Sequence, residues 1–153
     1  MDHTNAELRR ILQSCRTIAV VGLSADWNRP SYFAAKYMQT AGYTVVPVNP
    51  RYTEVLGQRC FPDLASIGVP IDMVDVFRKP SDCPAIARQV AALGATTLWL
   101  QLGIVSDEAA AIATEAGLEV VMDRCTKIEH ARFAGGLHQA GFNTGVISSR
   151  RAS

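Results

Sequence analysis

Nowhere in this 153-residue chain does an apolar run approach the roughly 18 residues that a spanning helix needs, which argues against a membrane-spanning segment. The first fifteen residues mix polar and apolar side chains and lack the order of a secretory leader, so a cytoplasmic location is the expectation. Paired cysteines are missing too. Cys15, Cys60, Cys83 and Cys125 form no C-x-x-C pair and no zinc-finger spacing, which predicts free thiols and no structural metal site. Nor is there an excess of charge of one sign: 15 Lys and Arg face 14 Asp and Glu, a formal net charge of +1. That balance argues against wholesale binding to nucleic acid or membrane surfaces and leaves only local patches to search for. What remains, 48% hydrophobic residues in a chain of this length, suits one domain with a sizeable core.

The stretch TIAVVGLSADWNRPS, residues 17–31, organises the chain. Ile18 to Val21 is a short β-branched apolar run that reads as a strand buried on both faces, Gly22 ends it, and Pro30-Ser31 opens a segment with helical periodicity. Strand, glycine turn and helix in that order open a nucleotide-binding α/β unit, in which a phosphate can approach the main chain beside unpaired N–H groups of the helix start. The second and third glycines of the dinucleotide fingerprint are absent, since Leu23-Ser24-Ala25-Asp26-Trp27 follows.

The rest of the chain repeats the theme. Residues 1–16 read as an amphipathic helix with Asn5 as its N-cap and Leu8, Ile11 and Leu12 on one side, packing outside the sheet. Ser31 is placed to cap the second helix, which stops at Gly42, and residues 44–48 form a second strand whose Pro47 marks an edge or a bulge. Residues 49–70 hold a polar loop, a turn at Leu56-Gly57 and a short helix from Asp63. Strand three follows at 73–77, a helix at 81–93, strand four at 97–102, a helix at 106–116 and strand five at 118–122. Three helices end in glycine just before a strand, at Gly42, Gly94 and Gly117. This alternation predicts a Rossmann-like, doubly wound α/β domain over residues 17–134, with a five-stranded parallel sheet of order 3-2-1-4-5 and the ligand crevice between strands one and four. Residues 135–153 read as an irregular tail that Phe142 and Val146-Ile147 could fasten to the body.

Ligands of open α/β sheets lie outside the carboxyl ends of the strands, and those ends are basic here. Ser24, Asn28 and Arg29 follow strand one, Asn49-Pro50-Arg51 strand two, Arg78-Lys79-Pro80-Ser81 strand three, Gly103 strand four, and Arg124 and Lys127 strand five. A cluster of cations on a nearly neutral chain suits a ligand with several phosphate charges. No carboxylate closes strand two, where NAD-binding enzymes hold the ribose diol. A neutral Asn49 beside Arg51 suits a phosphorylated ribose, leaving NADP or the 3′-phospho-ADP part of coenzyme A.

Several ordered strings carry a resemblance: Val21-Gly22-Leu23-Ser24 with Arg29-Pro30-Ser31, Gly42-Tyr43 with Val46-Pro47-Val48-Asn49-Pro50, Leu56-Gly57, Val74-Asp75-Val76-Phe77-Arg78, Trp99-Leu100-Gln101-Leu102-Gly103-Ile104, and Met122 to Glu129. Together they resemble the stand-alone bacterial CoA-binding domain family, which is similar in fold to the CoA-binding domain of the succinyl-CoA synthetase alpha subunit. The resemblance covers roughly residues 17 to 133. It implies coenzyme A as the ligand, with Gly22, Leu23, Ser24, Arg29 and Pro30 at the pyrophosphate and Asn49, Pro50 and Arg51 around the phosphorylated ribose. The same resemblance puts the adenine beside Phe77, Arg78, Lys79 and Pro80, and the pantetheine arm along Gln101, Leu102, Gly103 and Ile104. A ligase partner domain and a phosphorylatable histidine loop are not visible.

No residue set reads as a catalytic centre. Cys125, beside Arg124 and Lys127, could form a mixed disulfide with a bound thiol, but a packed thiol is the simpler reading. His130 next to Glu129 lacks a nucleophile to serve. Asp75 inside an apolar strand reads as a loop cap, Asp123 as a support for Arg124, Trp99 as core, and Trp27 as a cover for the ligand or the loop. The expectation is a non-catalytic carrier, sensor or regulatory module for coenzyme A or an acyl-CoA, with outer helical faces that could support a homodimer. The alternatives are an NADP-dependent reductase and a subunit that completes an acyl-CoA enzyme.

Overall fold

A computed structural model describes residues 2–134, so the expected tail lies outside the described residues. Five parallel strands form the sheet: β1 (Thr17–Val21), β2 (Thr44–Val48), β5 (Met73–Val76), β6 (Thr97–Leu100) and β7 (Glu119–Val121). Between β2 and β5 lie a two-stranded antiparallel hairpin, β3 (Glu54–Val55) with β4 (Gln58–Arg59), and a single 3-10 turn at Leu64–Ser66.

The class is as expected, a doubly wound α/β sheet, but the strand order is not. The sheet runs β2-β1-β5-β6-β7, so the five expected strands stand in the order 2-1-3-4-5 and β2 is the edge. The chain switches direction between strands one and three, not between one and four. Two features of the sequence dictate this. Pro47 has no N–H to give a further strand, and the outer side of β2 is met instead by Phe61, whose N–H donates to the Pro47 carbonyl (3.0 Å) and whose carbonyl accepts from Asn49 N–H (2.9 Å). The segment between β2 and β5 also offers no helix of α-type to build a further layer outside β2; it crosses back over β1.

Right-handed crossovers then sort the helices into two layers. Against one face pack α1 (Asn5–Ser14), α2 (Pro30–Thr40) and α5 (Thr126–Ala134), around Leu8, Ile11, Leu12, Ile18, Met38 and Trp99. Against the other pack α3 (Cys83–Leu93), α4 (Asp107–Glu115) and the 3-10 turn, around Leu64, Val74, Ile86, Val90, Leu98 and Ala113. Alternation along each strand decides which residue meets which layer. In β5, Val74 and Val76 face α3, while Met73 faces the α1 side; in β6, Leu98 and Leu100 face α3, while Trp99 faces the α1 side.

Local signals explain most helix ends. Helix α1 is capped by Thr4 rather than Asn5: the Thr4 hydroxyl accepts from Glu7 N–H (3.1 Å) and the Glu7 carboxylate accepts from Thr4 N–H (2.8 Å), a reciprocal capping box. Ser106 caps α4 through Ala109 N–H, and Gly94 ends α3 in the left-handed conformation. Helix α5 was not expected. It turns Thr126, Glu129 and His130 inward, so its buried side is polar and its amphipathic signature weak. Among the described residues no helix is long and apolar enough to cross a membrane, no acidic, His or Cys cluster could hold a metal ion, and all four cysteines are free.

Leu12 sits fully buried between α1 and the sheet, so the amino-terminal helix is part of the core that holds the sheet's α1 side. Truncating Leu12 to Ala is expected to cost about 2–5 kcal/mol of unfolding free energy, read from the midpoint of urea denaturation.

Candidate functional site

The turn after β1 is fixed by contact rather than by composition alone. Gly22 has φ +86°, and a Cβ built on it would lie 2.4 Å from the Phe77 carbonyl oxygen. Only glycine lets the end of β1 come this close to the end of β5, and Gly22 N–H meanwhile donates to the Val48 carbonyl (2.9 Å). The ends of β2, β1 and β5 are thereby gathered at the point where the strand order reverses, the place where open α/β sheets take ligands.

The loop beyond Gly22 is tied back at both ends. Ser31 does not cap α2; its hydroxyl accepts from Ser24 N–H (3.0 Å), and α2 begins with Arg29 as N-cap and Pro30 in the first turn, with no side-chain cap. The unfilled helix start therefore faces the loop. Leu23 points its side chain into the core, where it is fully buried, and its carbonyl accepts from Asn49 Nδ2 (3.1 Å). Asn49 is itself buried, and its Oδ1 accepts from Arg51 N–H (2.9 Å). The residue expected to face a ribose thus binds the loops after β1 and β2 to each other, and Arg51 is left as the exposed group of that turn.

Two clefts open beside this knot and share Arg78. The first, about 360 Å³, is bounded by Gly22, Val48, Pro50, Asp63, Arg78 and Gln89. The second, about 490 Å³, is bounded by Pro30, Phe77, Arg78, Lys79, Gln101, Leu102, Ile104, Cys125 and Ile128. Of the sequence-predicted residues, Gly22, Pro50 and Arg78 therefore meet in the first cleft, and Pro30, Phe77, Lys79, Gln101, Leu102 and Ile104 join Arg78 in the second. Ser24, Arg29, Arg51, Pro80 and Gly103 lie on the loops around them and line neither. Gly103, with φ +85°, donates its N–H to Asp123 Oδ1 (2.7 Å), so Asp123 holds this turn rather than Arg124.

The cations divide into two groups. Arg78 is paired with Asp82 (Nη2 to Oδ2, 2.9 Å), and Arg124 lies 3.6 Å from the buried Glu129, which Arg132 also contacts at 3.0 Å. Arg29, Arg51 and Lys79 are exposed and have no carboxylate partner among the described residues. An exposed pair such as Arg78 with Asp82 contributes only about 0–1 kcal/mol, so it competes weakly with a phosphate for the same guanidinium.

Beneath the second cleft lies a buried polar group that sequence reading assigned otherwise. Asp75 caps no loop. Its carboxylate accepts from Gln101 Nε2 (2.8 and 3.0 Å) and from the Thr126 hydroxyl (3.3 Å), and Gln101 Nε2 lies 3.0 Å from Thr126 Oγ1. Burial pushes the Asp75 carboxyl up to about 7, against the pull of the Gln101 and Thr126 hydrogen bonds. Burial also raises the Cys125 thiol, although the N–H groups of Ile128 and Lys127 oppose it, so Cys125 is held as a thiol and not as a nucleophilic thiolate. His130 is lowered by burial, its Nδ1 lies 2.9 Å from the Tyr37 hydroxyl, and its ring packs against Tyr37, Tyr43 and Phe133. Glu129 faces arginines instead, so the two do not form an acid–base pair. Trp99 is core, its indole N–H donating to the Arg124 carbonyl (2.8 Å), and Trp27 stands 70% exposed.

The family model for the CoA binding domain matches residues 16–131. The chain belongs to the CoA-binding domain family. A similar family member is the uncharacterized protein YneT of Bacillus subtilis, 42% identical over 128 residues that make up 84% of this chain and 95% of that protein. Among solved structures, a hypothetical protein from Pyrococcus horikoshii is 39% identical with a TM-score of 0.84, covering 87% of this chain and 94% of that one. A Thermus thermophilus structure, cell-free ID.343, is likewise 39% identical with a TM-score of 0.81, covering 85% and 98% of the two chains. The same fold recurs at 18% identity and a TM-score of 0.62 in a dinucleotide-forming acetyl-coenzyme A synthetase of Ca. Korarchaeum cryptofilum, covering 70% of this chain and 26% of that one.

Two outcomes follow for the CoA-binding-family crevice. Gly22→Ala combines a left-handed backbone with a clash against the main chain and should lower stability by about 2 kcal/mol or more in denaturant titration. Asp75 has a folded value above its unfolded one, so its contribution is fully present below the ordinary value near 4 and is lost as pH rises toward about 7. Asp75→Asn should therefore gain on the wild type by an amount of the order of a few kcal/mol between those limits, measured as the difference of the two stability–pH curves.

Proposed function

We propose that this chain binds coenzyme A or an acyl-CoA across the two clefts and acts as a carrier, sensor or regulatory module without chemistry of its own. One observation carries the reading. Two clefts of different character meet at Arg78 beside the Gly22 turn, a polar one edged by Arg78, Asp63, Asp82 and Gln89 and one whose walls beyond Arg78, Lys79 and Gln101 are Pro30, Phe77, Leu102, Ile104, Cys125 and Ile128. Coenzyme A has that same division, a triply phosphorylated adenosine joined to a long, weakly polar arm.

In this reading the pyrophosphate lies over the Gly22–Ser24 loop at the open start of α2, where Arg29 and backbone N–H groups meet it. Arg51 faces the 3′-phosphate, with Asn49 and Pro50 holding the turn that presents it. The adenine lies beside Arg78, Lys79 and Pro80, and the arm follows Phe77 toward Gln101, Leu102, Gly103 and Ile104. Membership in the CoA-binding family supports this ligand over NADP, and so do the missing fingerprint glycines. The raised Cys125 thiol and the separated Glu129 and His130 support a role in holding the ligand rather than transforming it.

A second reading has its own support. The acetyl-coenzyme A synthetase that shares this fold devotes about a quarter of its length to it, so the present chain could supply the same part to a separate catalytic subunit.

The test is a thermal-shift and calorimetric series with CoA, acetyl-CoA, dephospho-CoA and NADP. CoA should stabilise most, by about 2.7 kcal/mol at a hundredfold excess over its dissociation constant. Arg51→Ala should abolish the advantage of CoA over dephospho-CoA, a loss of about 1.5–3 kcal/mol for a charge-assisted contact. NADP binding more tightly than CoA would overturn the assignment.

A further inference from the structure

Gln101 is 3% exposed, yet it lines the second cleft. Its amide nitrogen is committed: both of its polar contacts, to the Asp75 carboxylate and to the Thr126 hydroxyl, lie on the core side. No donor among the described residues reaches its Oε1. On the cleft side that oxygen is an acceptor with no protein donor among those residues, and so it is open to a donor on a ligand. The orientation is not free to change. Turning the amide over would point its oxygen at the ionised Asp75 carboxylate and take its N–H groups off their acceptors.

Ionised, Asp75 holds that orientation, because both of its oxygens accept from the Gln101 amide and neither carries a hydrogen to offer an inverted one. Strand alternation makes the arrangement rigid, since Asp75 in β5 and Gln101 at the end of β6 project to the same face and Thr126 opens α5 above them.

We infer that Gln101 Oε1 is a specificity-determining acceptor for a hydrogen-bond donor on the ligand's arm, and that Asp75 is the positioning residue that keeps this oxygen turned to the cleft. The inference rests on coenzyme A being the ligand, whose arm carries two amide N–H groups and ends in a thiol. The shared chemistry is a donor, from either source. A ligand with the same nucleotide and no such arm makes no use of Gln101.

The experiment is calorimetric titration of the full chain with CoA, acetyl-CoA and 3′-phospho-ADP, which has the nucleotide half alone. Gln101→Met keeps the length of the side chain and removes the acceptor; it should weaken CoA about five- to tenfold and leave 3′-phospho-ADP within about twofold. Equal losses for CoA and acetyl-CoA assign the donor to an arm amide, and a loss confined to CoA assigns it to the thiol; both support the acceptor. Asp75→Leu should reproduce the arm-dependent loss and add little to it in combination with Gln101→Met, whereas Asp75→Asn, which retains an accepting oxygen, should preserve CoA affinity. Unchanged CoA affinity in Gln101→Met, or equal weakening of 3′-phospho-ADP, would overturn the role of Gln101, and that variant decides the point alone should Asp75→Leu fail to fold. Loss of CoA affinity in Asp75→Asn equal to that in Asp75→Leu would overturn the positioning role. A wild-type chain that binds neither CoA nor 3′-phospho-ADP would instead sink the ligand assignment, a distinct result.

Discussion

The near-contact of Gly22 with the Phe77 carbonyl is the constraint from which the crevice follows. A parallel sheet keeps neighbouring strands about 4.8 Å apart, but their loops must leave by different routes at the point where the chain reverses direction. Here the loop after β1 turns toward α2 on one face, while the loop after β5 turns toward α3 on the other. They part at Gly22 and Phe77, with no side chain between them. The 2.4 Å separation from a hypothetical Cβ means that any other residue would pry the two strand ends apart and move Arg78, whose Cδ lies 3.2 Å from the same position. Arg78 is the wall common to both clefts, so their division depends on this one backbone approach.

The electrostatics follow from where the loops end rather than from the composition. A chain of net charge +1 presents Arg29, Arg51 and Lys79 at the ends of three adjacent strands without carboxylate partners among the described residues. Cations on the other side of the crevice are differently held. Glu129 sits between Arg124 and Arg132 and is nearly inaccessible, so its buried charge is met by two arginines. The free cations therefore stand around the clefts, Arg29 and Arg51 on the flanking loops and Lys79 in the wall of the second, while the compensated ones lie toward α5.

Much of this was legible in the sequence. The five strands, the glycine helix stops and the basic strand ends are properties of short segments, and each was read from local pattern. Strand order is a property of pairs of segments. The default doubly wound order placed β2 inside the sheet, although Pro47 already argued for an edge, and the absence of a full helix between β2 and β5 argued the same way. The side-chain directions of Leu23 and Asn49 were not legible for a related reason: nothing in a loop sequence tells whether a side chain faces a ligand or ties the loop down. Helix α5 escaped because periodicity searches look for apolar residues on the inner side, and its inner side carries Thr126, Glu129 and His130.

That polar inner side separates the two layers of the domain. The α3 and α4 layer is packed almost wholly by aliphatic side chains, whereas the layer under α5 contains Asp75, Gln101, Thr126, Glu129 and His130, all buried. An apolar replacement of the Asp75 group would be easier to bury, since desolvation works against its charge and the hydrogen bonds recover only part of the loss. Packing density alone therefore does not account for it. The group lies under the cleft whose other walls, apart from Arg78 and Lys79, are apolar, and it fixes the direction of the buried amide that reaches that cleft. A polar network held at a cost in stability beside a binding cavity is expected where orientation matters more than burial.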